Sequence, residues 1–273
     1  MRKHFGKCAL CGKTCELTFE HIPPRAAFNS HPAKNISGDI IIGDRDRMPW
    51  DLEGLHYENQ QQGMGKYSLC QECNSNTGAW YGNAYIHVAR IVHSMMVGDI
   101  PTEATGVSID NVFPLQFAKQ VLSMFCSINN VEDCRIEELR RFVCDKEATG
   151  LDKQKYKLCL YFTKSKLKKY APLSAIIKQS SQGIESILVS ELTAYPLGFL
   201  LYFDSKNDQE FDGIDISEFF DMSYSASGTV CLPLCIKEVN DLLPTLYRSR
   251  DEIRACIIES EKRVEENEDN KTP

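Results

Sequence analysis

The chain contains no apolar run long enough to cross a bilayer, and its first residues, Met1 to Lys7, lack the apolar centre of a secretory signal. These two absences point to a protein of the cytoplasm with no membrane partner. An excess of positive charge is missing too. The formal net charge is −7, which argues against broad electrostatic capture of nucleic acid. Residues 100–273 carry no phosphate-binding glycine loop, no Gly-x-Ser-x-Gly elbow and no second zinc signature.

What is present begins with composition. Hydrophobic residues make up 42% and charged residues 25% of the 273 positions, the values of a globular protein with room for two ordinary domains. The negative charge is uneven. Residues 1–95 hold ten Lys and Arg against nine Asp and Glu, so the excess of carboxylates lies beyond them. Any phosphate contacts in the first part must therefore be local, with Arg2, Lys3, Lys7, Lys13, Arg25 and Lys66 as the candidates.

The twelve cysteines divide unequally. Cys8-Ala9-Leu10-Cys11 and Cys70-Gln71-Glu72-Cys73 are two pairs with the same two-residue gap, and four thiolates complete a tetrahedral shell for a structural Zn²⁺. Gly12, directly behind the first pair, suits a knuckle whose chain folds back on the sulfurs. The other eight, scattered at unrelated spacings, read as reduced thiols.

Between the pairs, Glu16 to Ile22 alternates apolar and polar residues and is stopped by Pro23-Pro24, a half-buried strand with Glu20 and His21 at its end. Residues 38–44 read as a strand or hairpin arm inside a long insertion, where Arg45, Arg47 and Trp50 are diluted by acids. After Cys73, Trp80, Ala84, Val88, Ile91 or Val92, and Met95 recur at helical steps. Asn74 and Asn76 fall where N-caps are also common. Gly98 to Gly106 reads as a linker, which puts a domain boundary near residue 100. Beyond it, helices are expected at 114–126, 136–144 and 249–262, and strands at 156–162, 175–178, 184–188, 197–203 and 229–236. The basic run Lys164 to Tyr170 reads as a solvated loop, and residues 263–273 as a disordered acidic tail. The expected fold class is α+β, with domains at 1–98 and 107–262.

Cys-x-x-Cys, an acidic residue plus His at a strand end before Pro, then Leu-Cys-x-x-Cys entering a helix resembles the zinc-containing HNH endonucleases of the ββα-metal (His-Me finger) class. The resemblance covers about residues 5 to 95. It implies a zinc-stapled ββα-metal domain followed by a mixed α+β domain, and it puts the family's first His on His21, its acidic residue on Glu20 and its last His on Asn74. The family's middle Asn falls on Gly65, a departure, with Asn59, Gln60, Gln61 or Gln62 as stand-ins.

The roles implied are His21 as general base, and Glu20 with Asn74 holding a catalytic Mg²⁺ or Mn²⁺, while Cys8, Cys11, Cys70 and Cys73 hold structural zinc. The expected reaction is metal-dependent hydrolysis of phosphodiester bonds, DNA favoured, in what would suit a bacterial defence effector whose C-terminal domain docks a regulatory protein or self-associates. The alternative is a non-catalytic zinc-ribbon module that binds nucleic acid or protein.

Overall fold

The computed structural model describes residues 3–38, 48, 50–51, 53–98, 105–180, 183–204, 211–241, 244–245 and 247–269. The expected arm at 38–44 lies almost wholly outside these residues, as do Arg2, Arg45 and Arg47. The described fold is mixed α and β, as the alternating and helical runs predict.

Three antiparallel strands open it: β1 (His4–Lys7), β2 (Thr14–His21) and β5 (Gly65–Cys70), with β2 in the middle. A small ribbon of β3 (Ala33–Asn35) and β4 (Glu58–Gln60) sits within the insertion. Helix α1 (Gln71–Trp80) follows β5 directly, and α2 (Gly82–Val97) continues after a break at Tyr81. One continuous helix was the expectation. The break arises where Tyr81 sinks its ring into the core and donates its hydroxyl to the Val143 carbonyl at 2.8 Å, which turns the chain.

Strand β6 (Gly106–Val112), absent from the expected set, pairs with β12 (Gly228–Pro233) as a separate antiparallel ribbon. Helices α3 (Pro114–Ile128) and α4 (Cys134–Cys144) come next, then a five-stranded sheet in the order β11, β7, β10, β9, β8, where β7 is Tyr156–Phe162, β8 Lys169–Ser180, β9 Gly183–Ala194, β10 Leu197–Phe203 and β11 Ile214–Asp215. The bounds of β7 and β10 match their continuous apolar runs, which arise because both faces of these strands are covered. The last helix, α5 (Arg250–Asp269), runs past the expected end at Lys262, into the stretch expected to be a frayed tail.

The boundary near residue 100 does not separate two cores. One buried cluster contains Cys8, Leu10 and Val88 from the zinc-side half together with Leu122, Phe199 and Phe220 from the other. Helix α3 is the cause. Its sequence shows an apolar face at Leu115, Ala118, Val121, Leu122 and Phe125, yet its opposite face is buried as well, including Gln120, Ser123 and Ser127. Phe117 stacks on Tyr85 of α2 at 5.8 Å between ring centres and meets Phe199 of β10 at 5.9 Å. The helix is thus the shared centre of the two expected domains.

The basic run also differs from expectation. Lys169 begins β8 and its ammonium is buried, 2.9 Å from Glu191 with side-chain exposures of 1% and 0%. Glu191 further accepts from Tyr161 Oη at 2.5 Å, Tyr247 Oη at 3.1 Å and the Thr245 amide at 3.0 Å. Removing one member of such a pair leaves a buried charge uncompensated, so Glu191→Ala is expected to lower stability by about 3–5 kcal/mol, whereas the uncharged double replacement Lys169→Met/Glu191→Gln, which keeps an acceptor for Tyr161, Tyr247 and the Thr245 amide, costs less. Denaturant midpoints of the two variants test this. Equal losses would show that packing, not the lone charge, is what matters.

Candidate functional site

The two cysteine pairs meet. Cys8, Cys11, Cys70 and Cys73 place their Sγ atoms within 4.8 Å of one another, a cluster able to hold a metal ion such as zinc. A tetrahedral ion with arms of about 2.3 Å separates its sulfurs by about 3.8 Å, and Cys11 and Cys70 lie at 4.0 Å. The backbone donates to the sulfurs as thiolates require. The Cys70 amide reaches Cys8 Sγ at 3.3 Å and the Cys73 amide reaches Cys70 Sγ at 3.4 Å. As free thiols the cysteines share protons, so that Cys8 is drawn down, first by a hydrogen bond from Cys73, while Cys73 is pushed up, first by its hydrogen bond to Cys144 and next by that to Cys8. Gly12 has φ +73°, and a Cβ there would meet the Arg140 guanidinium at 2.3 Å. That arginine donates to the Leu10 carbonyl at 2.9 Å, tying the first knuckle to α4.

Helix α1 starts at Gln71 with Cys70 as its cap. Asn74 therefore lies within the first turns, and neither it nor Asn76 is the cap. Its Nδ2 donates to Thr18 Oγ1 at 3.0 Å and to the Phe19 carbonyl at 3.2 Å, which fixes the amide against β2.

Consecutive strand residues alternate sides, and Glu20 is only 4% exposed while His21 is half-buried. The pairing of β2 with β5 slips between Thr18 and Phe19, where Ser68 is the extra residue on β5. Ser68 uses that freedom to donate to Glu20 Oε2 at 3.0 Å, and Ser127 of α3 donates to the same oxygen. Burial drives the Glu20 carboxyl up to about 7 from an ordinary 4.5, against the two serine hydroxyls that pull it down.

Across that window the folded chain keeps a proton that the unfolded chain releases, so this group's contribution to stability falls as pH rises through it. Glu20→Gln, without added divalent cation, is expected to be more stable than the parent by about 1–3 kcal/mol at pH 8, a difference that shrinks as pH is lowered to 5. Thermal unfolding at several pH values checks it, and a difference constant with pH would be the contrary result.

His21 is half-buried, and its Nε2 lies 3.1 Å from the Gln62 carbonyl. A carbonyl only accepts, so Nε2 carries the hydrogen and Nδ1 keeps the lone pair. Burial lowers the His21 pKa, the Arg25 charge lowers it further, and the Gln62 carbonyl opposes both. The Phe19 ring meets the imidazole edge-on at 5.2 Å.

Gly65, where the middle Asn was aligned, pairs with His21 across the strands. A Cβ there would lie 2.0 Å from the Glu20 carbonyl oxygen and 2.8 Å from the Phe19 ring, so no asparagine fits. Of the proposed stand-ins, Gln62 is the one on the ring, through its backbone. Gln60 instead holds the Gly65 amide at 2.9 Å, and Asn59 pairs with Lys34 in the β3–β4 ribbon. The residue that fixes this turn is Asn29, fully buried, whose Nδ2 donates to the Pro23 and Met64 carbonyls at 2.7 Å each and whose Oδ1 accepts from the Met64 amide at 2.8 Å. No local pattern marks Asn29 in the sequence.

His21, Glu20, Asn74 and Arg25 border one cavity of about 300 Å³. Gln120 of α3 completes its wall, and the Gln120 Oε1 and Ser123 Oγ atoms are buried without a hydrogen-bond partner. These residues were missed because a helix expected in another domain supplies them. Lys66 faces Glu20 across the strands, whereas Lys3 and Lys7 are paired with Glu16 and Glu132 on the surface. His87 and His93 bond the Asp110 carbonyl and the Tyr195 hydroxyl, consistent with packing histidines.

Among the described residues no helix is long and apolar enough to cross a membrane, and the cysteine cluster is the one grouping of three or more His, Cys, Asp or Glu able to hold a metal. No family model matches the chain, and no curated protein or solved structure matches it either.

Proposed function

We propose that the chain is an endonuclease that hydrolyses phosphodiester bonds, DNA favoured, in the manner of the HNH class. The observation that supports this most directly is the His21 ring, with Nε2 held on the Gln62 carbonyl and the imidazole bordering a cavity shared with Glu20, Asn74 and Arg25. A histidine kept neutral by burial and by a neighbouring cation is a competent general base for water.

On this reading His21 Nδ1 takes the proton from water, and Arg25 offers charge to the phosphate. Asn74 and Glu20 both border the cavity and carry hard oxygen donors, a set suited to Mg²⁺ or Mn²⁺ that keeps several waters. When held there, such an ion would supply charge stabilisation for the phosphate and the departing oxygen. The cysteine cluster does no chemistry and sets the distance between β2 and α1.

A second reading is a non-catalytic zinc module that binds nucleic acid or protein. It is favoured by Glu20, whose carboxylate is tied by two serines and only 4% exposed. Incubation of the full chain with plasmid, single-stranded DNA or RNA separates the two. Cleavage that appears with Mg²⁺ or Mn²⁺ and is abolished when only zinc is present supports the nuclease. Binding without cleavage under every ion supports the module.

A further inference from the structure

A second cavity, larger than the first at about 720 Å³ and sharing no wall residue with it, opens between the insertion and the C-terminal half. Its size is that of sites for small organic ligands. In a chain of net charge −7, its wall is unusual. Lys34, Lys166, Lys168 and Arg250 line it together with His31, and no Asp or Glu does so among the described residues. None of the four cations forms a salt bridge with a described carboxylate, whereas many of the chain's other lysines and arginines do. Lys168 is half-buried, and its ammonium is bonded to the neutral Asn29 Oδ1 at 2.7 Å.

Cations alone would describe an anion site. The same wall also carries three flat apolar surfaces, Trp50, Phe28 and Tyr195. The Trp50 ring is approached by the Arg250 and Arg254 guanidinium groups, each 5.3 Å from its centre. Phe28 and Tyr195 are held in place by His93, which lies 4.2 Å from the Phe28 ring centre and bonds the Tyr195 hydroxyl at 2.9 Å. Asn35 adds a neutral amide of the kind that reads base edges, whereas Ser165 Oγ and Asn240 Nδ2 are bonded to Val239, Glu238 and Arg248 within the protein. Unneutralised cations beside fixed aromatic faces are the recognition chemistry of a phosphate attached to a nucleobase.

We infer that this cavity binds a nucleotide, its base against Trp50 or Phe28 and its phosphate on the lysines. The ligand is a free nucleotide or one unit of a single strand, and the inference does not depend on His21 or on cleavage. The experiment is calorimetric titration of the full chain with adenosine 5′-diphosphate, a short oligothymidylate and inorganic phosphate, over a range of salt. Saturable binding of either nucleotide probe, weakening with salt and tighter than phosphate, is expected. If only the oligothymidylate binds, the source is a strand, and if the diphosphate binds, it is a free nucleotide.

Lys34→Ala/Lys166→Ala changes two exposed side chains and should leave the fold intact. It and Trp50→Ala are each expected to weaken binding about tenfold or more. A chain that binds nucleotide and cuts nothing would keep this inference and remove the nuclease reading. No binding of either nucleotide, binding no tighter than phosphate, or full affinity in both cavity variants would overturn it.

Discussion

Cys8→Ser, or removal of bound metal by a strong chelator, is expected to destabilise the entire chain and not the first hundred residues alone. Structural zinc contributes about 10–16 kcal/mol in small zinc peptides, which is comparable with or greater than the about 5–15 kcal/mol of net stability a domain possesses. Cys8 is fully buried and belongs to the same cluster of side chains as Phe117 and Phe199. Losing the ion frees β1, β5 and the start of α1 together, and the Arg140 tie to Leu10 carries the disturbance into α4.

Two measurements check this. Metal analysis should find one zinc per chain, and heat-induced unfolding followed by circular dichroism should show one transition that moves down by tens of degrees in the variant. A C-terminal transition that stays in place while an N-terminal one disappears would restore the two-domain reading. An unchanged transition after chelation would remove the zinc assignment itself.

That single core explains what the sequence did and did not disclose. The cysteine spacing specified the cluster because four ligands at two equal gaps are a local pattern. The bounds of β7 and β10 were legible because strands buried on both faces are continuous apolar runs. Helix α3 was legible as a helix and illegible as a centre. Its apolar face predicts one packed side, and the polar residues Gln120, Ser123 and Ser127 on the other side look like a solvent face until β2 and β5 are laid against them.

The cluster that spans residue 100 was not legible for a related reason, since punctuation in the chain marks a turn and says nothing about whether the elements on either side share a core. At the site, Glu20 and His21 were visible as a pair at a strand end. What holds Glu20 inward is supplied by Ser68 and Ser127, hydroxyls from one strand and one helix away. The clamp on His21 was invisible because it is a backbone carbonyl, and every residue type has one.

His21→Ala is expected to reduce cleavage by about 10²–10⁴-fold, the contribution of a positioned general base, while leaving zinc content and the unfolding transition close to those of the parent. The ring is half-buried and, among the described residues, makes one hydrogen bond, to the Gln62 carbonyl, so on the nuclease reading its loss is a surface event for the fold and a central one for the chemistry. A base acts only when neutral. Burial and the Arg25 charge both lower the His21 pKa from its ordinary 6.5, so the parent's rate should rise with pH on a limb that lies below 6.5 and be level with respect to this group above it.

Arg25→Ala supplies the internal control. Removing that charge relaxes the depression of the imidazole, and the limb should move toward higher pH even as the maximal rate falls through loss of a phosphate contact. A purely structural histidine would give neither result. If His21→Ala cuts as fast as the parent, or if the limb stays fixed in Arg25→Ala, the base lies elsewhere, and the assignment of His21 fails even if the chain remains a nuclease.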